Sequence, residues 1–116
     1  MNELLEQLRD LSSRKERFTF DVKSRCLVRN GVVSAYRATK GDHYAELRDV
    51  LAHALSHEGI VGAWRDPATQ RVQYDSCRIF TDMSNAKRFA ELQGQRSVFD
   101  LERNEEISVR AEEPQQ

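Results

Sequence analysis

Hydrophobic residues recur with two different periods along the chain, and the changes between them predict the order of elements. Leucines at helical spacing predict a helix over about residues 2–13, which Asn2 can cap and Ser12 can end. The apolar stripe of this helix consists of Leu4, Leu5, Leu8 and Leu11. Such a stripe packs either on its own domain or on a second copy of the chain, because an isolated helix this short is marginal in water.

A strand and a turn follow the first helix. Apolar and polar residues alternate from Phe18, which predicts a half-buried strand that continues to Val28. Asn30-Gly31 comes next, and Asn-Gly between β-rich runs is a strong hairpin signal because both turn positions need a positive φ. The return strand is therefore expected over residues 32–38, with Val28 opposite Val33.

The middle of the chain predicts a second helix. Gly41 breaks the chain, Asp42 can cap the helix, and Gly59 stands where a C-terminal glycine is expected. Between them, residues 43–57 carry one apolar stripe. Its members are Tyr44, Leu47, Val50, Leu51, Ala54 and Leu55.

A second hairpin and a third helix complete the pattern. Residues 60–65 and 71–80 are the predicted strands, and Asp66-Pro67-Ala68-Thr69 is the turn between them. A short helix follows, with Thr81, Asp82 or Ser84 as its cap, Ala86, Phe89 and Ala90 facing inward, and Gly94 at its end. A last β unit runs from Ser97 to Val109 with a turn at Arg103-Asn104.

This order, α-β-β-α-β-β-α-β(β), predicts an α+β domain with a mainly antiparallel sheet and helices packed on one face. From about residue 32 the order β-α-β-β-α-β is that of a ferredoxin-like sheet, and two hairpin–helix units plus closing strands describe it equally well. Residues 1–110 are expected to form a single domain, and residues 111–116 a disordered tail. The other sheet face then needs cover from the first helix or from a partner.

Composition narrows the class of protein. The chain has 116 residues, of which 39% are hydrophobic and 32% charged, and its formal charge is −1. No apolar run approaches the roughly 18 residues of a membrane helix, and the N-terminus lacks the apolar core of a signal peptide. Two cysteines cannot build a disulfide framework or a four-ligand zinc site. We therefore expect a cytoplasmic protein without a membrane contact, metal or cofactor.

Charge is distributed unevenly. Residues 25–40 contain four basic residues and no acid, whereas residues 41–60 and 101–116 are mainly acidic. A basic hairpin with an aromatic residue could grip phosphate and stack a base, or could meet an acidic protein surface. Trp64 is expected in the core, with Arg65 and Arg71 exposed beside it. The predicted partner-binding residues are Arg25, Arg29, Tyr36, Arg37, Arg65 and Arg71.

Several residues carry candidate chemistry. His53 and His57 have a metal-chelating spacing, but the glutamate of the zinc-protease motif is absent and surface histidines are the expected outcome. Cys26 and Cys77 are expected to be ordinary thiols in strands. Asp75 is the acid expected to be semi-buried, either paired with Asp66 as a carboxylate site or bonded to local backbone. Nothing assembles a nucleophile, a base and an oxyanion donor, so we do not expect an enzyme.

The second hairpin and the helix after it resemble small uncharacterised accessory proteins of phages and other mobile elements. The resemblance covers about residues 60–102 and is carried by Gly62-Ala63-Trp64-Arg65-Asp66-Pro67, Tyr74-Asp75-Ser76, residues 86–90 and residues 95–100. Thr69-Gln70 departs from the Thr-Gly that is frequent in such hairpins. The resemblance implies a short cytoplasmic protein that acts by binding, often as an inhibitor or regulator, and it assigns no role to a residue.

Three functions follow as hypotheses. The first is a non-enzymatic protein-binding module, such as a mobile-element inhibitor or regulator of host nucleic-acid machinery. The second is direct nucleic-acid binding through the basic hairpin of residues 25–40. The third is a small hydrolase or transferase that uses Asp75 or a cysteine. A homodimer through the first helix or an exposed sheet face stays open.

Overall fold

A computed structural model of the chain describes residues 2–37 and 46–110. Within these ranges it contains three helices and seven strands, which confirms the α+β class. The helices are α1 (Asn2–Arg14), α2 (Leu47–Leu55) and α3 (Met83–Leu92). The strands are β1 (Arg17–Asp21), β2 (Cys26–Leu27), β3 (Val32–Ala35), β4 (Ile60–Arg65), β5 (Val72–Phe80), β6 (Ser97–Asp100) and β7 (Glu105–Ser108).

The chain packs as two compact units. The first consists of Met1–Val28 and Ala38–Cys77, and the second of Arg29–Arg37 and Arg78–Gln116. Strand β5 contributes its residues 72–77 to the first unit and 78–80 to the second. The expectation of a single domain over residues 1–110 stays a prediction.

The first unit has the strand order β2-β1-β4-β5, and its strands pair antiparallel. Phe18 and Phe20 of β1 lie opposite Ala63 and Val61 of β4, so these four side chains share one face of the sheet. The leucine stripe of α1 and the stripe of α2 are buried together with this face, as the helical spacing predicted. The core is Leu4, Leu5, Leu8, Leu11, Phe18, Phe20, Val22, Leu47, Val50, Leu51, Ala54, Val61 and Ala63.

The predicted first hairpin is wrong, because the chain turns back earlier than expected. Strand β1 ends at Asp21, whose carboxylate Oδ1 accepts hydrogen bonds from the backbone N–H groups of Lys23 (2.9 Å) and Ser24 (3.3 Å). Arg25 completes this turn with a φ of 62°. β2 then pairs with β1, with Leu27 opposite Phe20. What the alternation predicted as one strand over residues 18–28 is therefore two short antiparallel strands.

Strand β3 pairs with a strand from much later in the chain instead of with β2. Val32 lies opposite Asp100 and Val33 opposite Phe99, both in β6. Gly31 has a positive φ of 101°, as the hairpin required, but its small size serves a different contact. A Cβ at Gly31 would lie 2.7 Å from Cγ2 of Ile79, so a larger residue would prevent the close approach to β5.

The second unit has the strand order β5-β3-β6-β7. Since β3 lies between β5 and β6, the crossover from β5 through α3 to β6 is split by another strand, as in a ferredoxin-like sheet. α3 packs on β3 and β6, and the Asp82 carboxylate caps it by accepting the N–H of Asn85 at 3.1 Å. The core is small and consists of Val32, Ala86, Ala90 and Val98, with Phe80, Met83, Ile107 and Val109 packed against it.

The predicted second helix over residues 43–57 is too long, because Glu46 is extended, with φ −66° and ψ 139°, and the helix ends at Leu55. α2 begins after Glu46 and ends before Gly59, which has the expected positive φ of 79°. The predicted cap Asp42 and the start of that helix at residues 43–45 lie outside the described residues, as does the predicted tail of residues 111–116. None of the helices in the described ranges is both long and apolar enough to cross a membrane.

Candidate binding face of the first unit

The sheet of the first unit has two faces with different surroundings. On one face, the Tyr74 hydroxyl lies 2.7 Å from Ser12 Oγ of α1, and Ser76 Oγ lies 2.7 Å from His53 Nδ1 of α2. Both helices therefore pack on the face that carries Tyr74 and Ser76. The neighbouring residues of β5 point to the opposite face, because side chains alternate along a strand.

We call this opposite face, on which neither α1 nor α2 packs, the helix-free face. Its register is set by β4, the strand between β1 and β5. Trp64 lies between Arg17 and Gln73, and Gly62 lies between Thr19 and Asp75. The helix-free face is defined by these six residues: Arg17, Thr19, Gly62, Trp64, Gln73 and Asp75.

Exposure falls along β5 on this face. Gln73 and Asp75 are half-buried, whereas Cys77, two residues further on, is only 3% exposed. Trp64, expected in the core, is instead 37% exposed at the outer end of the face. The side chains on this face are thus exposed at Trp64, half-buried at Gln73 and Asp75, and buried at Cys77.

Asp75 is a carboxyl group held away from water in the middle of a strand. Burial raises the pKa of Asp75 above its usual range, and a hydrogen bond from the Gln73 side chain opposes the shift. Among the described residues, the Gln73 side chain is the group that hydrogen-bonds this carboxyl group. The sequence prediction that Asp75 is semi-buried is confirmed.

The predicted pairing of Asp75 with Asp66 is wrong. Asp66 lies in the turn between β4 and β5, where its Oδ1 accepts the N–H of Ala68 at 2.9 Å. Asp75 lies opposite Gly62, four residues earlier in the chain than Asp66, which corresponds to about 13 Å along a strand. The two carboxylates therefore cannot act on one reacting group.

Gly62, which lies opposite Asp75, is held small by its neighbour Cys77. A Cβ at Gly62 would lie 3.0 Å from Cys77 Sγ, which is tighter than ordinary contact. Because Cys77 is buried, the pKa of its thiol is raised well above its usual range, and the charge of Asp75 adds to this shift. Cys77 is therefore a protonated packing residue at neutral pH, and the exposed Cys26 donates its thiol hydrogen to the Ser24 carbonyl.

The two histidines of α2 form a stacked pair on the helix side. Their ring centroids are 3.9 Å apart with an interplanar angle of 4°. Desolvation lowers the pKa of His53, the charge of His57 lowers it further, and Glu58 opposes the shift. His53 is half-buried rather than on the surface as expected, and its bond to Ser76 ties α2 to β5. No three His, Cys, Asp or Glu side chains in the described ranges lie close enough to hold a metal ion.

The predicted partner-binding residues are divided between the two units, and the basic hairpin that would have brought Arg25 together with Arg29, Tyr36 and Arg37 does not form. Arg25 is exposed in the turn after β1, and Arg71 is exposed beside the turn after β4. Arg65 is half-buried, and its guanidinium donates to the Ser12 carbonyl at the end of α1. These three residues belong to the first unit, and Arg29, Tyr36 and Arg37 belong to the second.

In the second unit, Tyr36 and Arg37 lie next to α3. The ring of Tyr36 meets Phe89 edge-on at 5.1 Å between centroids, and the Arg78 guanidinium lies 5.6 Å from the centre of the same Phe89 ring. Arg37 donates from its guanidinium to the Leu92 carbonyl at 3.0 Å and from its backbone N–H to Gln93 Oε1 at 2.8 Å. Arginine and aromatic side chains are thus interleaved at this end of α3.

The chain matches no family model, no curated protein and no solved structure. The similarity to mobile-element accessory proteins therefore stays a prediction from residues 60–102.

Proposed function

We propose that this protein is a non-enzymatic binding module that docks a partner protein on the helix-free face of its first unit. The observation that carries the proposal is Trp64, which is 37% exposed on this face and has the half-buried Asp75, whose pKa is raised by burial, as its diagonal neighbour on β5. A buried acid of this kind costs folding free energy, and exposed tryptophans are frequent anchors of protein interfaces. Both features are explained together if a partner covers them.

The surroundings support binding better than catalysis. Cys77 is held as a thiol, Asp66 and Asp75 are too far apart to cooperate, and His53 is engaged with Ser76. A general acid or nucleophile needs a second titratable group within hydrogen-bond reach, and the group that bonds Asp75 within the described ranges is the neutral Gln73 amide. The finer role, an inhibitor or regulator of host nucleic-acid machinery, is what the resemblance of residues 60–102 adds to the proposal.

The test compares two truncations of exposed apolar side chains. Tagged wild-type protein, Trp64→Ala and Leu92→Ala are used for affinity purification from the same host lysate, with quantitative mass spectrometry. Leu92 is the matched control because it is a large hydrophobic residue, 70% exposed on α3, outside the helix-free face. We expect a specific protein that wild type and Leu92→Ala retain equally and that Trp64→Ala loses by about tenfold or more.

Two results would overturn the proposal. One is a set of retained proteins that does not change with Trp64→Ala, and the other is an equal loss with both variants. Circular dichroism of the three proteins accompanies the experiment, so that a loss through unfolding is recognised.

Direct nucleic-acid binding is a second candidate, supported by the interleaved arginine and aromatic side chains of the second unit. Arg78 lies over Phe80 and Phe89 at 5.1 and 5.6 Å from the ring centres, and Arg37 lies nearby at the end of α3. Cations beside aromatic rings are typical of single-strand binding. Fluorescence anisotropy with labelled oligo-dT at low salt tests it: binding that Arg37→Ala and Arg29→Ala weaken supports the candidate, and the absence of binding removes it.

A further inference from the structure

We propose that a second copy of this chain pairs with the outer edge of β7, so that the sheets of two second units join into one antiparallel sheet. In this pairing Ile107 lies opposite Ile107 of the other copy, and Glu106 lies opposite Ser108 of the other copy. The surface belongs to the second unit and has no residue in common with the helix-free face.

The outer side of β7 presents backbone groups that can bind another strand. Among the described residues β7 is the end of the strand order and pairs with β6 alone. The N–H of Val109 donates to the Arg96 carbonyl at 2.9 Å, which fixes the alternation of this ladder. Because every second residue of an antiparallel pair points its N–H and C=O at the neighbouring strand, Ile107 and Val109 point theirs at β6. Glu106 and Ser108 therefore point theirs outward.

Self-pairing of this edge favours one register. When two copies pair around a twofold axis, residues directly opposite each other share a face of the sheet. A pair centred on Glu106 would bring two like charges together, which is destabilising. A pair centred on Ser108 would need the N–H of Arg110, which already donates to Ser108 Oγ at 3.2 Å. Centred on Ile107, Glu106 lies opposite Ser108 twice, and each of these pairs exchanges two backbone hydrogen bonds.

The same register continues the small apolar core across the axis. Ile107 lies opposite Val98 on the face that α3 covers, and it is half-buried at the border of the core. With Ile107 at the centre of the pair, its side chain meets that of Ile107 in the other copy, because opposite residues of this kind approach to about 4.5 Å between Cα atoms. The two small cores would then share apolar contact that neither unit has alone.

The position of α3 leaves room for the second copy. α3 packs on β3 and β6, and a groove of about 620 Å³ runs along its outer side. Met83 of α3 and Val109, the residue after β7, both line this groove. A strand added beside β7 therefore lies next to an open groove and does not have to displace the helix.

Charge complementarity supports the pairing on the opposite face of the sheet. Glu106 lies on this face, where its Oε2 accepts the hydroxyl of Ser97 at 2.6 Å. In the proposed register Arg110 of the other copy is a diagonal neighbour of Glu106, about 7–8 Å away between Cα atoms and within reach of two long side chains. The twofold axis repeats this opposite-charge pair.

The first experiment measures the association of the full-length protein by sedimentation equilibrium up to about 1 mM. A single strand pair buries little surface, so we expect a dissociation constant of about 10 μM to 1 mM. Ser108→Pro removes an outward N–H that the β6–β7 ladder does not use, and it should weaken the dimer by about tenfold or more. Ser108→Ala is the matched control, because it loses the same hydroxyl but keeps the N–H. It should retain the wild-type constant.

The second experiment tests the register by cross-linking in a Cys26→Ser background, which removes the exposed native thiol. Ile107→Cys should give a covalent dimer when diamide oxidises the two thiols, because opposite Cα atoms lie within disulfide range. Glu105→Cys is the control. In the proposed register the two copies of residue 105 are four residues apart along the strand, about 13 Å, so they should not cross-link.

Three results would overturn the inference. They are a mass that stays monomeric up to about 1 mM, a dimer that Ser108→Pro and Ser108→Ala affect equally, and cross-linking of Glu105→Cys as efficient as that of Ile107→Cys. Amide spectra of β3 and β6 accompany each variant. If they show that Ser108→Pro disturbs the fold, the cysteine comparison decides the question, because it needs no proline.

Discussion

The two units of the chain bury polar groups in opposite ways. Among the described residues, the first has thirteen in its core, and buried hydroxyl groups on its helix side are bonded, such as Ser12 to the Leu8 carbonyl and to Tyr74. The second has four core residues, two of which are alanines, and the buried Ser34 Oγ has no hydrogen-bond partner in the described structure. In the first unit the desolvated acid is Asp75, which lies on the face away from the core and accepts a hydrogen bond from the Gln73 side chain.

This difference shows where each unit can tolerate the free-energy cost of a desolvated polar group. The large apolar core of the first unit can offset the free-energy cost of a half-buried acid on its other face. The small core of the second unit holds its unpaired hydroxyl inside, where nothing compensates it. The first unit is therefore the better platform for a binding site, and substitutions on both sides of the comparison can test this.

The largest effect is expected from Leu8→Ala. Leu8 is fully buried in α1 within the larger core, so truncation removes its packing and leaves a cavity. We expect the free energy of unfolding to fall by about 3 kcal/mol, measured by urea denaturation with Trp64 fluorescence as the signal. A loss below that of Val98→Ala would contradict the contrast between a large and a small core.

Val98→Ala is the corresponding change in the second unit. Val98 is buried in β6 against Ala86 and Ala90, and the substitution removes two methyl groups from a core with few others. A loss of about 2 kcal/mol is expected, read from amide hydrogen exchange of β3 and β6. If these amides exchange as slowly as in wild type, the small core does not depend on Val98.

Ser12→Ala probes a satisfied buried hydroxyl. Its Oγ donates to the Leu8 carbonyl at 2.7 Å, and Tyr74 lies at the same distance from it. The substitution leaves the half-buried Tyr74 hydroxyl without this partner, so we expect a loss of about 1 kcal/mol in thermal or urea unfolding. Tyr74→Phe combined with Ser12→Ala should cost less than the sum of the two, because each single change leaves the same hydrogen bond broken.

Ser34→Ala also replaces a buried serine, but we expect it to raise the free energy of unfolding instead of lowering it. Ser34 is 1% exposed in β3 and its hydroxyl is unsatisfied, so alanine removes a desolvated polar group and little volume. We expect stability to rise by up to about 1 kcal/mol, measured beside Ser12→Ala under identical conditions. A loss of stability would mean that Ser34 has a partner after all, and that the two units do not differ in this respect.

The smallest effect is a pH-dependent gain from Asp75→Asn. Because folding raises the pKa of Asp75, the native state favours its protonated form. The penalty for burying the carboxylate is therefore absent below the ordinary pKa of 3.8 and appears as pH rises through the raised value. Asp75→Asn should be more stable than wild type at pH 7, with the advantage vanishing near pH 3; an advantage independent of pH would show that Asp75 is not the titrating group.

Much of the fold could be predicted because its signals are local. The turn at residues 66–69 and the capping residues Asp82 and Gly59 correctly bound β4, β5 and the helices beside them. The hairpin at Asn30-Gly31 was wrong because β3 pairs with β6, and no local pattern records a partner so distant in sequence. The turn that does form is signalled by Asp21, whose carboxylate bonds the following backbone as Asp66 does in the other turn.

The candidate site could be predicted only in part. The sequence indicated a semi-buried Asp75, but it placed Trp64 in the core, because Ile60, Val61 and Ala63 are all buried and leave no clear alternation in β4. Only the register of β4 with β5 shows that Trp64 and Asp75 share a face. That register does not follow from the predicted turn, because a turn over residues 66–69 would pair Arg65 with Gln70, whereas Arg65 lies opposite Val72.

Alternate residues of β5 face opposite sides of the sheet and serve different roles, and this constrains which mutations the protein can tolerate. Tyr74 and Ser76 bind the helices, while Gln73 and Asp75 face the other way. Point mutations can therefore retune recognition on one side while the packing on the other side is inherited unchanged. The loss or gain of a single residue within β5 would move each following side chain to the opposite face of the sheet and disrupt both faces. Homologous proteins should therefore differ in the residues of this strand but keep its length.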